Sequence, residues 1–278
     1  MIIWIASYPK SGNTWVRFFL KSYFNNYYSN ITLAPKIYDN FKIQNFPNIF
    51  FMKERNVNYL NFQEIVKNWK NMQDYINLNN KTNFLKTHNA LCTIKNYPFT
   101  TSENTSGGIY VVRDPRDVVI SYADHFGTSL EEAVDRILSS EHNENPIDEN
   151  GKSFILSLMG SWADHYNSWK SYKKRKILII KYEDLIDNTF KTFLKIIEYL
   201  NKIQKTPVDI DKIKYSIEEV KFENLKKMES KEGFVERGKG RAFFRIGKAG
   251  NWRKELETRL VKKIEEKFSK EMKDLGYL

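Results

Sequence analysis

The sequence predicts an α/β fold, a parallel sheet flanked by helices on both faces, with residues 1–278 forming a single domain. Three observations point there. Short apolar runs of strand character recur at Ile2–Ala6, Asn83–Thr87, Gly108–Val112 and Ile177–Ile180. Helical periodicity fills the gaps, and strands separated by helices favour parallel pairing through crossovers. The first strand also feeds a glycine-containing loop that opens a helix, a backbone arrangement suited to gripping phosphate because helix N–H groups point outward at the positive dipole end.

The first element is the strand Ile2–Ala6, with Trp4 expected near the sheet centre. The stretch IASYPKSGNTWVRFFLKSY then runs through a loop of Pro9, Lys10, Ser11 and Gly12 into an amphipathic helix over Thr14–Asn25. This loop is P-loop-like in position only. The nucleotide-hydrolase signature G-x-x-x-x-G-K-[ST] needs its lysine after the glycines, whereas Lys10 precedes Gly12.

Phe24–Lys81 and Thr128–Tyr172 read as helical insertions that shape one wall of a binding site, and the aromatics of Tyr23–Phe51 can line a pocket or simply pack in a core. The strand Asn83–Thr87 ends in Lys86, Thr87 and His88. The strand Gly108–Val112 runs into Arg113, and Pro115 suits the first turn of a helix over Pro115–Phe126. Arg113 at the strand end and Ser121 on that helix are spaced to converge on one phosphate, the guanidinium binding as a fork. These polar clusters fall at the carboxyl ends of strands, where open α/β sheets bind ligands.

Further along, periodicity predicts helices over Lys152–Tyr172, Thr189–Asn201 and Lys254–Leu275, the last with Leu256, Leu260, Ile264 and Phe268 on one face. Gly233 to Leu256 holds five glycines and seven Lys or Arg residues and reads as a mobile loop that closes on an anion.

Composition bounds the function. A formal net charge of +11 calls for anionic partners, and 41% hydrophobic with 15% aromatic residues is incompatible with global disorder. Cys92 is the only cysteine, so an internal disulfide and a cysteine zinc site are excluded and a reducing, cytoplasmic setting is expected. No metal-ligand cluster is evident, and no metal is expected. Met1–Ala6 is too short for a signal segment, and no apolar run reaches membrane-spanning length. His125, His142 and His165 are assigned to structure, as are Asp114, Arg116 and Asp117 in ion pairs.

Together the clusters resemble the sulfotransferase family that uses 3′-phosphoadenosine 5′-phosphosulfate (PAPS), particularly its soluble cytosolic branch. The resemblance rests on Y-P-K-S-G-x-T-W at Tyr8–Trp15, K-T-H at Lys86–His88, R-D-P-R-D at Arg113–Asp117 with Ser121 following, Y-E-D at Tyr182–Asp184, and R-x-G-x-x-G-x-W at Arg245–Trp252. Five motifs in the family's order cover nearly the whole chain. The resemblance implies that Lys10 meets the bridging oxygen of the donor, with Ser11, Gly12, Asn13 and Thr14 around the 5′-phosphosulfate and Trp15 on the adenine. It implies that Arg113, Ser121 and Arg245, with the Gly247 backbone, hold the 3′-phosphate, and that Tyr182 and Phe222 contact the base. It makes His88 the catalytic base on the acceptor hydroxyl, with Lys86 beside it.

Two departures stand out. Arg245-Ile246-Gly247 replaces the R-K-G of many relatives, so one 3′-phosphate cation is absent unless Lys248 or Arg241 compensates. The family's C-terminal dimer signature K-x-x-x-T-V-x-x-x-E is also absent, since Arg259 and Lys263 stand at its Val and Glu positions, and no oligomeric state is predicted. The motifs begin so near Met1 that no N-terminal membrane anchor is expected. A small-molecule, lipid or glycan-precursor acceptor therefore fits, with no nucleic-acid partner. The competing readings are a P-loop nucleotide kinase and a basic nucleic-acid-binding protein, the latter motivated by the net charge.

Overall fold

The computed structural model describes residues 1–25, 41–141, 156–205, 207–234, 236–238 and 242–278. In chain order the elements are β1 (Ile2–Ser7), α1 (Asn13–Phe24), β2 (Ile43–Asn45), α2 (Ile49–Glu54), α3 (Phe62–Asn77), β3 (Asn83–Thr87), β4 (Thr93–Ile94), β5 (Tyr97–Pro98), β6 (Thr105–Val112) and α4 (Pro115–Phe126). They continue as α5 (Leu130–Leu138), α6 (Trp162–Lys170), β7 (Ile177–Lys181), α7 (Tyr182–Asp187), α8 (Thr189–Gln204), α9 (Ile210–Glu219), α10 (Phe222–Glu232), α11 (Trp252–Glu255) and α12 (Thr258–Leu275). The chain divides into two compact units. One comprises Met1–Tyr8, Ile43–Val111 and Ser139–Ile179; the other comprises Pro9–Lys42, Val112–Leu138 and Ile180–Leu278.

The main sheet has the order β2-β3-β1-β6-β7, which places Trp4's strand at its centre as expected. β1 pairs in parallel with β3 and with β6, and β2 pairs in parallel with β3. β1 is apolar up to its last residue, Ser7, and buried along its length because a central parallel strand is covered on both faces. Trp4 lies among Phe46, Phe99 and Trp169, with ring centroids 5.3, 5.1 and 6.4 Å away. Trp69 of α3 joins through Phe99 at 5.3 Å, so α3 and α6 seal this face with aromatic rings. Part of the polar inventory caught there is satisfied: the Trp4 indole donates to Thr105 Oγ1 at 2.8 Å, and Thr105 meets Thr100 at 2.7 Å, whereas the buried Trp69 indole has no partner among the described residues.

In the second unit, Phe19 of α1 stacks on Phe193 of α8 at 3.9 Å. The R-D-P-R-D segment is knitted into a buried network. Arg116 bridges Asp114 at 2.6 Å, reaches Glu265 of α12 and donates to the Tyr277 carbonyl at 2.9 Å. Burial opposes the Arg116 charge, but its bonds to Asp114 and Glu265 outweigh that and hold the guanidinium above its ordinary range.

Several boundaries differ from the sequence expectation. The helix expected over Lys152–Tyr172 begins only at Trp162, because Gly160 turns at φ 63° and Ser161 with Asp164 forms a capping box. Before it, Leu158 is bridged to the chain near Asn89: its carbonyl accepts from the Ala90 amide at 2.7 Å. Lys152–Ile155 and His142 lie outside the described residues. The helix expected over Lys254–Leu275 is broken, since Leu256 is extended at ψ 128° between α11 and α12. Of the aromatics in Tyr23–Phe51, Phe46 packs in the core and Phe24 stacks on Phe41 at 4.7 Å, while Tyr27, Tyr28 and Tyr38 lie outside the described residues.

Candidate active site

Within the second unit, the opening loop turns where Gly12 takes φ 100°, a conformation that L side chains rarely adopt, and α1 starts with no side-chain cap. Space excludes a side chain as well: a Cβ on Gly12 would lie 2.5 Å from Tyr182 Cδ2. Tyr182 is buried, which pushes its phenol pKa up, with the Arg113 charge working against that. The Arg113 guanidinium lies 4.5 Å from the Tyr182 ring, and it donates to the Lys10 carbonyl at 3.2 Å and to the Lys248 carbonyl at 3.3 Å. Arg113 thus ties the first loop to the R-x-G-x-x-G segment. Trp15 stands edge-on to Tyr182 at 6.3 Å and to Phe193 at 5.9 Å.

The remaining anion ligands expected from the sequence gather in the same unit. Arg245 approaches Asp124 at 3.9 Å and Glu255 at 3.6 Å, and Asp124 sits one helical turn after Ser121 on α4. Gly247, at φ 65°, lies against the Phe222 ring so closely that a Cβ there would overlap it. Asp117 accepts from the Gly250 amide at 2.6 Å and the Trp252 amide at 3.0 Å, which anchors the glycine segment to α4. Lys248 meets Arg113 through its carbonyl, and Arg241 lies outside the described residues.

In the first unit, Lys86 pairs across from Ile5 and from Asn45, which fixes its backbone on both sides. His88 follows at the strand end. Its Nδ1 lies 2.7 Å from the Ser7 carbonyl, an acceptor, so Nδ1 carries a proton and in the neutral ring the lone pair sits on Nε2. His165 backs the same segment: its Nε2 donates to the His88 carbonyl at 3.0 Å, and its Nδ1 accepts from the Tyr110 hydroxyl at 2.9 Å. Full burial lowers the His165 pKa to about 4, with the bond to His88 opposing, so this ring stays neutral.

The sulfotransferase domain model matches residues 2–276 of the chain. The chain belongs to the sulfotransferase family. It is 25% identical to rat sulfotransferase 1E1 over 97% of this chain and 83% of that protein. With dog sulfotransferase 1B1 it shares 28% identity over 96% of this chain and 82% of the relative. A solved structure of mouse sulfotransferase SULT7A1 complexed with PAP (3′,5′-adenosine bisphosphate) has the same fold, with a TM-score of 0.61 at 19% identity over 99% of this chain and 86% of that one. Retinol dehydratase, solved in complex with androsterone and the inactive cofactor PAP, gives a TM-score of 0.57 at 19% identity over 98% and 81% of the two chains.

Some neighbours of this sulfotransferase's candidate site residues escaped the sequence reading. Lys10 Nζ lies 3.3 Å from His125 Nδ1 and 4.0 Å from the centre of the Phe243 ring, so His125 faces the loop lysine. Arg17 and Glu236 meet Thr14 directly. The spacing of Asn13, Thr14 and Arg17 at one helical turn carried that signal for Arg17, whereas nothing local to Glu236 did. Among the described residues no three His, Cys, Asp or Glu side chains cluster as metal ligands, and no helix is long and apolar enough to cross a membrane.

Proposed function

We propose that this sulfotransferase moves the sulfuryl group of PAPS to a hydroxyl or amine of a small-molecule acceptor, with residues 1–278 acting as one sulfotransferase domain in the cytoplasm. The observation that carries the reading is Arg113, which joins the Lys10 carbonyl, the Lys248 carbonyl and the Tyr182 ring, beside two glycine cradles. The residues fit the donor. Ser11 Oγ and Trp15 Nε1 are buried with no hydrogen-bond partner among the described residues, and the aromatic edges of Tyr182 and Phe222 press on Gly12 and Gly247. A rabbit amine sulfotransferase, 30% identical over 64% of this chain and 58% of that protein, and a guinea-pig 3-beta-hydroxysteroid sulfotransferase support a small-molecule acceptor.

When bound, PAPS supplies an activated sulfuryl group on a phosphate leaving group. Arg113, Ser121 and Arg245 hold the 3′-phosphate, and the loop from Lys10 to Thr14 holds the 5′ end. Lys10 carries the charge that stabilises the leaving oxygen, an interaction that strengthens toward the transition state. His88, with its proton on Nδ1, takes the acceptor proton at Nε2. Lys86 steadies the reacting groups from the strand beside it. A metal is less needed here than in phosphoryl transfer, because a sulfate carries less charge to neutralise.

The test is calorimetric titration with PAP, AMP and ATP for wild type and Arg113→Ala. Wild type should prefer PAP, and Arg113→Ala should weaken PAP by about tenfold or more while changing AMP little. Equal binding of PAP, AMP and ATP by wild type would overturn the reading in favour of a nucleotide kinase. Binding of nucleic acid with a steep salt slope and no preference for PAP would favour the nucleic-acid alternative.

A further inference from the structure

Asn13 and Thr14 are assigned above to the 5′ end of the donor, and both are held by Arg17, one turn further along α1. Arg17 Nε donates to Asn13 Oδ1 at 2.9 Å, and Nη2 donates to Thr14 Oγ1 at 2.9 Å. The same Nη2 reaches both oxygens of Glu236, at 2.8 and 2.6 Å. Thr14 Oγ1 in turn donates to Glu236 Oε2 at 3.1 Å. The cluster is largely shielded, with the Arg17 and Glu236 side chains 16% and 24% exposed.

The direction of these bonds follows from the groups. A threonine hydroxyl has one hydrogen and two lone pairs, and a guanidinium can only donate. Arg17 therefore occupies a lone pair of Thr14 and leaves its hydrogen aimed at an anionic oxygen. Here that oxygen belongs to a carboxylate, which sits at the N-terminal turn of α1 where a phosphate would find the same dipole and the same guanidinium charge. Ser11 Oγ, buried without a partner among the described residues, waits in the same loop.

We propose that Arg17 is a positioning residue for the donor's 5′ phosphosulfate end, orienting Asn13 and Thr14 and supplying a positive charge there. Glu236 is its counter-anion and gives up the Thr14 hydroxyl when the donor's oxygens take its place. This rests on the function proposed above. Arg17 touches neither acceptor nor base; it acts by orienting the two side chains it holds and by its charge at the 5′ end.

The experiment separates the two ends of the nucleotide. Wild type, Arg17→Ala, Arg17→Lys and Glu236→Gln are titrated calorimetrically with PAP and with 3′-AMP, which lacks the 5′-phosphate, alongside thermal melting. Arg17→Ala should weaken PAP about tenfold or more and leave 3′-AMP unchanged, and Arg17→Lys should recover part of the loss. Glu236→Gln should tighten PAP severalfold, because a neutral amide competes less for Arg17 than a carboxylate does. Loss of PAP and 3′-AMP in parallel, no loss of PAP, or weaker PAP binding by Glu236→Gln would overturn the assignment. Should Arg17→Ala fail to fold, Arg17→Lys and Glu236→Gln decide the matter by the same comparison. Wild type showing no preference for PAP would refute the function itself, whereas normal wild-type binding with a wrong variant pattern would refute only Arg17.

Discussion

His88 shows how much chemistry one hydrogen bond decides. Its Nδ1 to the Ser7 carbonyl at 2.7 Å selects the tautomer that presents a lone pair at Nε2, the form a base requires. His88→Ala is expected to slow sulfuryl transfer by roughly 10² to 10⁴-fold while PAP affinity stays the same, as single-turnover rates and calorimetry would report. An unchanged rate would remove His88 from the mechanism. The K-T-H motif made His88 visible in the sequence, but the tautomer was not legible there, because Ser7 is far away along the chain and adjacent only through β1 and β3. His165 is the reverse case. It reads as structural and is structural, yet its neutral buried state depends on Tyr110 and on the His88 carbonyl, which only folding brings together.

Among elements, α4 does the most organising. Its Asp114 caps the first turn by accepting from the Arg116 amide, and its Asp117 holds the amides of Gly250 and Trp252. Asp117→Ala leaves both amides without that acceptor. It should lower stability by about 1–3 kcal/mol and weaken PAP binding, with Asp117→Asn recovering part of each, measured by melting and calorimetry. Unchanged PAP affinity would show that the glycine segment is held some other way. Pro115–Phe126 was predicted to the residue, because Asp-Pro starts a helix and Gly127 stops it with φ 66°. Short elements such as β2, β4 and β5 were missed because two or three residues carry no periodicity. Arg259 and Lys263, which replace the dimer signature, pair with Glu131 and Asp135 of α5 at 3.1 and 2.6 Å, a use invisible without the α5–α12 packing.

For the whole molecule, the buried neutral His165 predicts an acid sensitivity with a definite sign. Its folded pKa of about 4 lies below the ordinary 6.5, so the unfolded chain binds the proton first. Its contribution is complete above pH 6.5 and is lost as pH falls toward 4, amounting to roughly 3 kcal/mol. Melting temperature against pH should therefore fall more steeply for wild type than for His165→Gln between those limits, and parallel curves would contradict the assignment. The sequence by itself determined the α/β class, the central place of Trp4, the glycine-containing loop after β1 and the sulfotransferase motifs, because apolar runs, glycines and fixed spacings are local properties of a chain. Tertiary structure alone decided which carboxylates face the cations, Glu236 on Arg17 and Asp124 and Glu255 on Arg245, and set Asp117 on the backbone amides of the glycine segment. The physical reason is that a charge finds its partner by proximity in space, and folding sets that proximity between residues as far apart as Arg17 and Glu236.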